Sequence, residues 1–413
     1  MTSGYDALII GGGPAGASAA ILLARAGWSV ALIEKQSFPR RKVCGECIAA
    51  SNLPLLQALG VGPAFEQAAG PELRKVALMY GAHMVMADLP DAPHARYPLG
   101  RALGRETLDT LLVAQARLAG VHVMQPWSAL RTTGSAGLWR CDIRAVDTGA
   151  LLTLRAAVLI DAHGSWEALP TARARQIRAH HASDLLAFKA NFRQARLAEG
   201  LLPVLAFNGG YGGMVKADGG VTTLACCIRR DRLEASRSKS PGLSAGEVIE
   251  SLLKEQCGGV KTALQGATRE GAWLAAGPLK TGIHLSLGDG IFRIGNAAGE
   301  AHPIIGEGMS MALQSAWLLC GQLLDEKSDV GRSDPAWQRQ QLRRYAAQWR
   351  RAFAPRLRFA AVLAHVAMRP MMVKPILAVL QRWPHLLTTG ARWGGKTRCV
   401  ADPQTVAIQD GSL

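Results

Sequence analysis

Two stretches of this chain place chemically capable residues at informative spacings. In the first, Asp6-Ala-Leu-Ile-Ile-Gly11-Gly12-Gly13-Pro14-Ala15-Gly16 is followed, after seventeen intervening residues, by Glu34 and Lys35 at the end of the apolar run Val30-Ala31-Leu32-Ile33. Gly11 permits a tight turn off a strand, Gly13 lets the backbone approach a pyrophosphate, and Gly16 lets a helix pack closely on the sheet. Pro14 and Ala15 open that helix, whose unpaired N–H groups and positive dipole end face the phosphates. Glu34 suits the ribose hydroxyls of an adenosine and disfavours a 2′-phosphate, so the ligand expected at this site is FAD or NAD and not NADP.

The second stretch is Phe38-Pro-Arg-Arg-Lys42-Val-Cys44-Gly45-Glu46-Cys47. Cys44 and Cys47 form a Cys-x-x-Cys, but zinc or a thioredoxin-like dithiol needs a second pair or another fold context. No metal site is expected. His163 and His302 stand in loops expected near the ligand and are candidates for proton transfer, which requires reach as well as a suitable pKa. The plainer reading of each is a loop histidine bonded to backbone.

These residues need a scaffold. Arg105 to Gly120 has apolar spacing of three and four and stops at glycine, as an amphipathic helix does, and Val121–Met124 then reads as a short strand. Leu154–Asp161 is another strand. Between about 170 and 275, runs rich in β-formers (Leu185–Phe192, Val204–Phe207, Val221–Ile228) alternate with glycine turns at 209, 212 and 219, which predicts a separate antiparallel sheet. A further strand and turn, Ile291 to Gly299, lead through Pro303-Ile-Ile-Gly306-Glu-Gly308 into a long helix from Met309 to Leu324. Residues 335 to about 395 read as helical, broken by Pro355, Pro370, Pro375 and Pro384.

Lys and Arg number 47 against 31 Asp and Glu. Thirteen of those cations, and no acid, fall between Pro335 and Val400, so that segment supplies 13 of the net +16 and the rest is nearly neutral. Nucleic-acid binding by the whole protein is not expected. Eight scattered cysteines suit a reducing compartment. The chain enters a strand within a few residues, leaving no room for a signal peptide, and no apolar run reaches the roughly 18 residues of a membrane span. A cytoplasmic protein is expected. In the basic segment Leu342, Tyr345, Trp349 and Phe353 fall at helical spacing beside Arg343, Arg344, Arg350 and Arg351. Three readings stay open for 335–400: a bundle capping the substrate domain, a peripheral patch on the inner membrane face, or a surface for an acidic substrate or carrier protein.

In this order the pieces resemble the flavoprotein monooxygenase superfamily, which includes the aromatic hydroxylases, the flavin-dependent halogenases and the geranylgeranyl reductases. The resemblance runs from residue 1 to about 330. Its motifs are the Gly11-to-Glu34 fingerprint, the Arg105-x-x-Leu-Asp-x-x-Leu helix, and Gly295-Asn296-Ala-Ala-Gly299 leading into Pro303-x-x-Gly306-x-Gly308. It implies an α/β fold: a doubly wound, Rossmann-like FAD-binding domain (1–75, 101–168 and 276–330), an antiparallel β-sheet substrate domain (76–100 and 169–275) and a basic helical C-terminal region (331–413). It also implies FAD, held by Gly11, Gly13, Pro14, Ala15, Gly16, Glu34, Lys35, Arg105, Val123, Asn296, Gly306, Gly308 and Met309. The family usually has Asp where Asn296 stands. The helix after Gly306 would aim its dipole at the flavin N1–C2=O edge.

Lys42-x-Cys44-Gly45-Glu46 resembles both the reductases' Lys-x-Cys-Gly-Gly and the halogenases' Arg-x-Gly-Glu, which lie beside the isoalloxazine and make Cys44 and Glu46 the candidate catalytic residues. The halogenases' Trp-x-Trp-x-Ile-Pro is missing, and Gly210-Tyr211-Gly-Gly-Met-Val-Lys216 replaces the reductases' Tyr-x-Trp-x-Phe-Pro. The hydroxylases' Asp-Gly survives only as Asp161-Ala-His163-Gly164, leaving the electron donor open between NAD(P)H and a separate reductase. The reading reached is hydroxylation of a small apolar aromatic or lipid-like substrate, free or carrier-bound, through a flavin C4a-hydroperoxide. The alternatives are reduction of a C=C bond with Cys44 near the flavin N5, and an FAD-containing binding scaffold.

Overall fold

The computed structural model describes residues 4–94, 96–165, 169, 180–324 and 331–399. The expected domain limits at 168 and 330, and the stretch 400–413, lie outside them. Gly4–Ile10 is apolar on both faces and becomes a central strand, parallel to Val30–Ile33 on one side and Leu151–Asp161 on the other. His122–Met124 extends the parallel set at one edge, and Phe292–Arg293 also pairs parallel with Leu151–Asp161. Leu138–Ala145 and Trp127–Ser135 complete the other edge in antiparallel fashion. The fingerprint helix Pro14–Arg25 and the helices Arg105–Leu118 and Gly308–Leu324 cover one face of this sheet with the largest apolar core.

The second sheet runs in the order Thr268–Ala276, Leu185–Arg193, Thr222–Arg229, Gly210–Lys216, Leu201–Phe207, Lys75–Tyr80, His83–Asp88. Its side chains alternate between two cores, as the two-residue period of a strand requires. Phe188, Ala190 and Phe192 pack with Val248, Ile249 and Leu253 of the helix Ala245–Gln256. Leu185, Ala187 and Ala206 face Ala364, Ala367 and Val373 of the C-terminal helices.

Three features differ from the sequence expectation. The second sheet contains one parallel pair, Leu201–Phe207 with Lys75–Tyr80. Gly212 and Gly213 lie within the strand Gly210–Lys216 and are not turns; a Cβ on Gly212 would stand 2.7 Å from the Ala225 carbonyl oxygen, so glycine is what lets these strands approach. Pro355 does not break its helix, which runs unbroken over Pro335–Ala367, and Pro375 lies inside Pro370–Arg382. Pro355 is exposed while Phe353, Leu357 and Ala360 beside it are buried, so packing on the inner face outweighs the one hydrogen bond lost on the outer face.

The basic segment divides in two. Leu342, Tyr345, Trp349 and Phe353 are fully buried in the core on the first sheet, so the aromatic stripe is core and not a membrane patch, with Arg343, Arg344, Arg350 and Arg351 on the outer face. The later helices, Pro370–Arg382 and His385–Trp393, lean instead on the far edge of the second sheet. Among the described residues no single helix is long and apolar enough to cross a membrane.

Candidate active site

The fingerprint loop is shaped by backbone demands. Gly11 has φ +110° and a Cβ there would sit 2.3 Å from the Ala162 carbonyl oxygen; one on Gly16 would sit 1.9 Å from the Gly11 oxygen. Gly13 is different: the nearest atom to a Cβ would be an Arg105 nitrogen at 3.5 Å, so its smallness keeps space open in front of the helix. One guanidinium group, that of Arg105, borders that space. Arg105 is buried and held by Asp109 through two 2.7 Å hydrogen bonds, and although burial opposes its charge, Asp109 keeps its pKa raised. Arg40 lies over the Phe38 ring, 3.5 Å from Glu34 and 3.6 Å from Asp109. Glu34 is buried at the end of its strand, where it accepts hydrogen bonds from the Gly12 and Gln36 N–H groups. Lys35 is exposed beyond it, and Val123 lies in the neighbouring parallel strand.

From this loop a single cavity of about 600 Å³ leads to the second sheet. Gly13, Pro14, Ala15, Arg105, Asn296, Gly306, Gly308 and Met309 line its first arm. Gly11, Gly16, Glu34, Lys35 and Val123 do not line it; the two glycines shape the loop from behind. Gly306 takes φ +63° after the turn Pro303–Ile305, and Gly308 begins the helix Gly308–Leu324. Cβ atoms on Gly45 and Gly308 would meet nothing within 4 Å, which leaves room for a planar ring system. Asn296 donates to Ser165 (2.7 Å) and Ser165 to Glu300 (3.0 Å), whose other oxygen accepts from the Lys280 N–H; burial pushes the Glu300 carboxyl above its ordinary value.

The Cys44–Cys47 stretch forms the floor. Cys44 is half-buried and lines the cavity, and its sulfur accepts from the Glu46 N–H at 3.4 Å. Glu46 adopts φ +57°, a left-handed conformation that a non-glycine residue keeps only when its surroundings enforce it. The enforcement is visible: its carboxylate accepts from Lys189, from Thr223 (2.6 Å) and from the Arg105 N–H (2.9 Å). Glu46 thus ties the helix Arg105–Leu118 to two strands of the second sheet. Lys42 also lines the cavity; burial, then the nearby Arg105 and Arg40, lowers its pKa to about 8, and among the described residues no carboxylate lies within ion-pair distance of it.

Sequence reasoning missed a buried ionic cluster under the Gly306–Gly308 loop. Glu307 is fully buried, 3.5 Å from Arg356 and 3.7 Å from Lys396, and burial raises its pKa. Lys396 comes from the end of the basic segment, lines the cavity, and reaches the Gly306 oxygen (3.5 Å) and Cys47 sulfur (3.6 Å). Burial works against its charge, yet Cys47 and Glu307 hold its pKa above the ordinary value. The signal available was the lone acid between Gly306 and Gly308, which requires a partner if buried. His302 does not enter this arm's lining; it shares a 3.1 Å hydrogen bond with the Tyr211 hydroxyl, and burial, then His365, lowers its pKa to about 4. His163 is paired with Asp161.

The second arm has the opposite chemistry. Val76, Leu78, Leu202, Val204, Ala206 and Ala225 form its sheet wall, and aliphatic side chains of the C-terminal helices form its roof.

A family model described as an FAD binding domain matches residues 4–334. The chain is 26% identical over 327 residues to tryptophan 2-halogenase of Chondromyces crocatus, covering 77% of this chain and 60% of the halogenase. It is 27% identical over 336 residues to menaquinone reductase of Mycolicibacterium smegmatis, covering 77% and 76%. This chain therefore spans less than two thirds of the halogenase's length. Among solved structures, its fold is similar to that of the myxobacterial chondrochloren halogenase (TM-score 0.75, 18% identity, 94% of this chain and 91% of that one). It is also similar to a geranylgeranyl bacteriochlorophyll reductase-like protein of Thermoplasma acidophilum (TM-score 0.71, 17% identity, 95% and 100%).

Proposed function

Because this chain belongs to the FAD-binding-domain family of flavoprotein oxidoreductases, with FAD as its cofactor, we propose that it is a monooxygenase hydroxylating an apolar aromatic or lipid-like substrate. The observation that carries this reading is the continuity of the cavity, from the glycine loops that fit FAD to a long aliphatic arm. Gly13, Arg105 and Arg40 suit the pyrophosphate, Glu34 the ribose end, Asn296 the ribityl chain and Gly306 to Met309 the pyrimidine edge. When bound and reduced, FAD supplies an electron pair and reacts with O₂. The chain's own contribution is positional and electrostatic: the start of the helix Gly308–Leu324 faces developing negative charge, and the aliphatic walls exclude the water that would divert the reaction. Electrons come from NAD(P)H or a separate reductase.

A second reading, reduction of a C=C bond, draws on Cys44 in the cavity wall and on the likeness to menaquinone reductase. One experiment separates them. FAD is reduced anaerobically on the protein, an alkyl-chain phenol and a polyprenyl quinone are offered in parallel, and labelled O₂ is then admitted. Label in the phenol product is expected. Loss of a C=C bond before O₂ enters would replace hydroxylation by reduction, and peroxide with neither product would remove both.

A further inference from the structure

The aliphatic arm opens to the outside among side chains of three helices. Val362, Ile376 and Leu386 each line the cavity and are also exposed, so the mouth has an apolar rim. Around it the helix Pro370–Arg382 is apolar on two sides. Val373, Leu377 and Leu380 are buried, while Met372, Ile376, Val379 and Trp383, at successive steps of three and four, form an exposed stripe, with Met371 beside it 89% exposed. A helix with an unpartnered second apolar face is built to meet something other than water. Trp383 is 50% and Trp393 71% exposed, the amphipathic residue type that settles at membrane interfaces.

Charge selects the occupant. Lys374, Arg382 and Arg392 are exposed on these two helices, Arg358 and Arg369 flank Val362, and no acid occurs from Pro335 to Val400. Two copies meeting here would bring like charges together, whereas an anionic bilayer complements both the cations and the apolar stripe.

We infer that the helices Pro370–Arg382 and His385–Trp393 dock the protein on an anionic lipid surface, with the cavity mouth against the bilayer so that the apolar substrate enters from the lipid. The route of entry rests on the apolar-substrate reading; the docking does not. Each cation near an anionic surface is worth about a factor of five in partitioning, so a few acting together give measurable binding.

The test uses FAD-loaded protein sedimented with phosphatidylcholine vesicles, with and without phosphatidylglycerol. Binding is expected to be at least about tenfold stronger to the anionic vesicles and to weaken as salt rises through about 0.15 M. Met372→Glu with Val379→Glu should lower it about tenfold, and separately Lys374→Glu with Arg382→Glu, which removes two cations at about a factor of five each, at least about 25-fold, both with FAD content and melting temperature unchanged. Absence of parent binding at low salt, or unaltered binding by both variants, overturns the docking. So does loss of self-association in ultracentrifugation with vesicle binding intact, which would assign the stripe to a second copy. Turnover of detergent-dispersed substrate is measured alongside: turnover without docking removes only this inference, and docking without turnover removes only the proposed reaction.

Discussion

The end of the cavity proposed for the flavin is built from short, contiguous pieces of sequence and from charges that find partners; the end proposed for the substrate is built from aliphatic side chains drawn from distant segments. Gly13, Arg105 and Glu46 each have one geometric duty and one or two identifiable contacts. Val76, Ala206 and Ala225 of the wall and Ile376 of the roof share the lining of an arm in which no single residue is decisive. The first arrangement fixes what is bound, and the second sets only the size and polarity of what is admitted. Substitutions at the flavin end should therefore act in an all-or-none manner, and those at the substrate end should be graded.

The largest contrast is expected within the fingerprint itself. Gly16→Val should prevent folding, since its Cβ would meet the Gly11 oxygen at 1.9 Å, whereas Gly13→Val should give folded, colourless protein with FAD affinity at least about 100-fold weaker. Circular dichroism and flavin absorbance report the two outcomes, and full occupancy in Gly13→Val would break the comparison. Next comes Glu307→Ala, which leaves Arg356 and Lys396 as buried, unpaired cations and should lower stability by about 3–5 kcal/mol in denaturant titration of FAD-free protein. Glu307→Leu combined with Arg356→Met and Lys396→Met should recover most of that loss.

A smaller, graded effect is expected at the far wall. Ala225→Phe should reduce kcat/KM for long-chain substrates by roughly tenfold, an effect of one misfitted side chain in an apolar pocket, and spare FAD binding and short-chain substrates. Equal losses for all chain lengths would show that the arm does not measure the substrate.

The smallest effect concerns protons. Lys42 has a pKa of about 8 in the folded protein against 10.5 for an ordinary lysine. Between those values the unfolded chain binds the extra proton, so this residue's contribution to stability rises with pH through that window. The melting temperature of FAD-free parent relative to Lys42→Met should accordingly increase from pH 8 to about 10.5. A flat difference would place Lys42 in water.

The same contrast explains what could be read from the residues alone. Gly11 to Gly16 and Glu34 are legible because a turn, a close approach and a strand end are local events. The stripe Leu342, Tyr345, Trp349 and Phe353 shows that helical periodicity identifies an apolar face but not what covers it: here the helix layer on the first sheet does. Gly212 and Pro355 mislead for the same reason, since a partner strand and a buried inner face outweigh local preference. Ser165, Glu300, Glu307 and Lys396 become a site only when segments more than a hundred residues apart, or at opposite ends of the last helices, are brought together.

Lys396 also has a consequence for the order in which the molecule is made. The sulfur it reaches, on Cys47, is 349 residues earlier in the chain, and the loop oxygen it reaches, on Gly306, is 90 residues earlier. By the time the segment that carries Lys396 is made, the fingerprint, the strands of both sheets and the helix Gly308–Leu324 precede it in the chain, and Glu307 still lacks the second of its two cations. Domains form as units during synthesis, but a contact of such span closes only once both of its segments are present. The loop that carries Glu307 is thus completed from segments far apart in the chain, and its closure follows the formation of both sheets instead of preceding it.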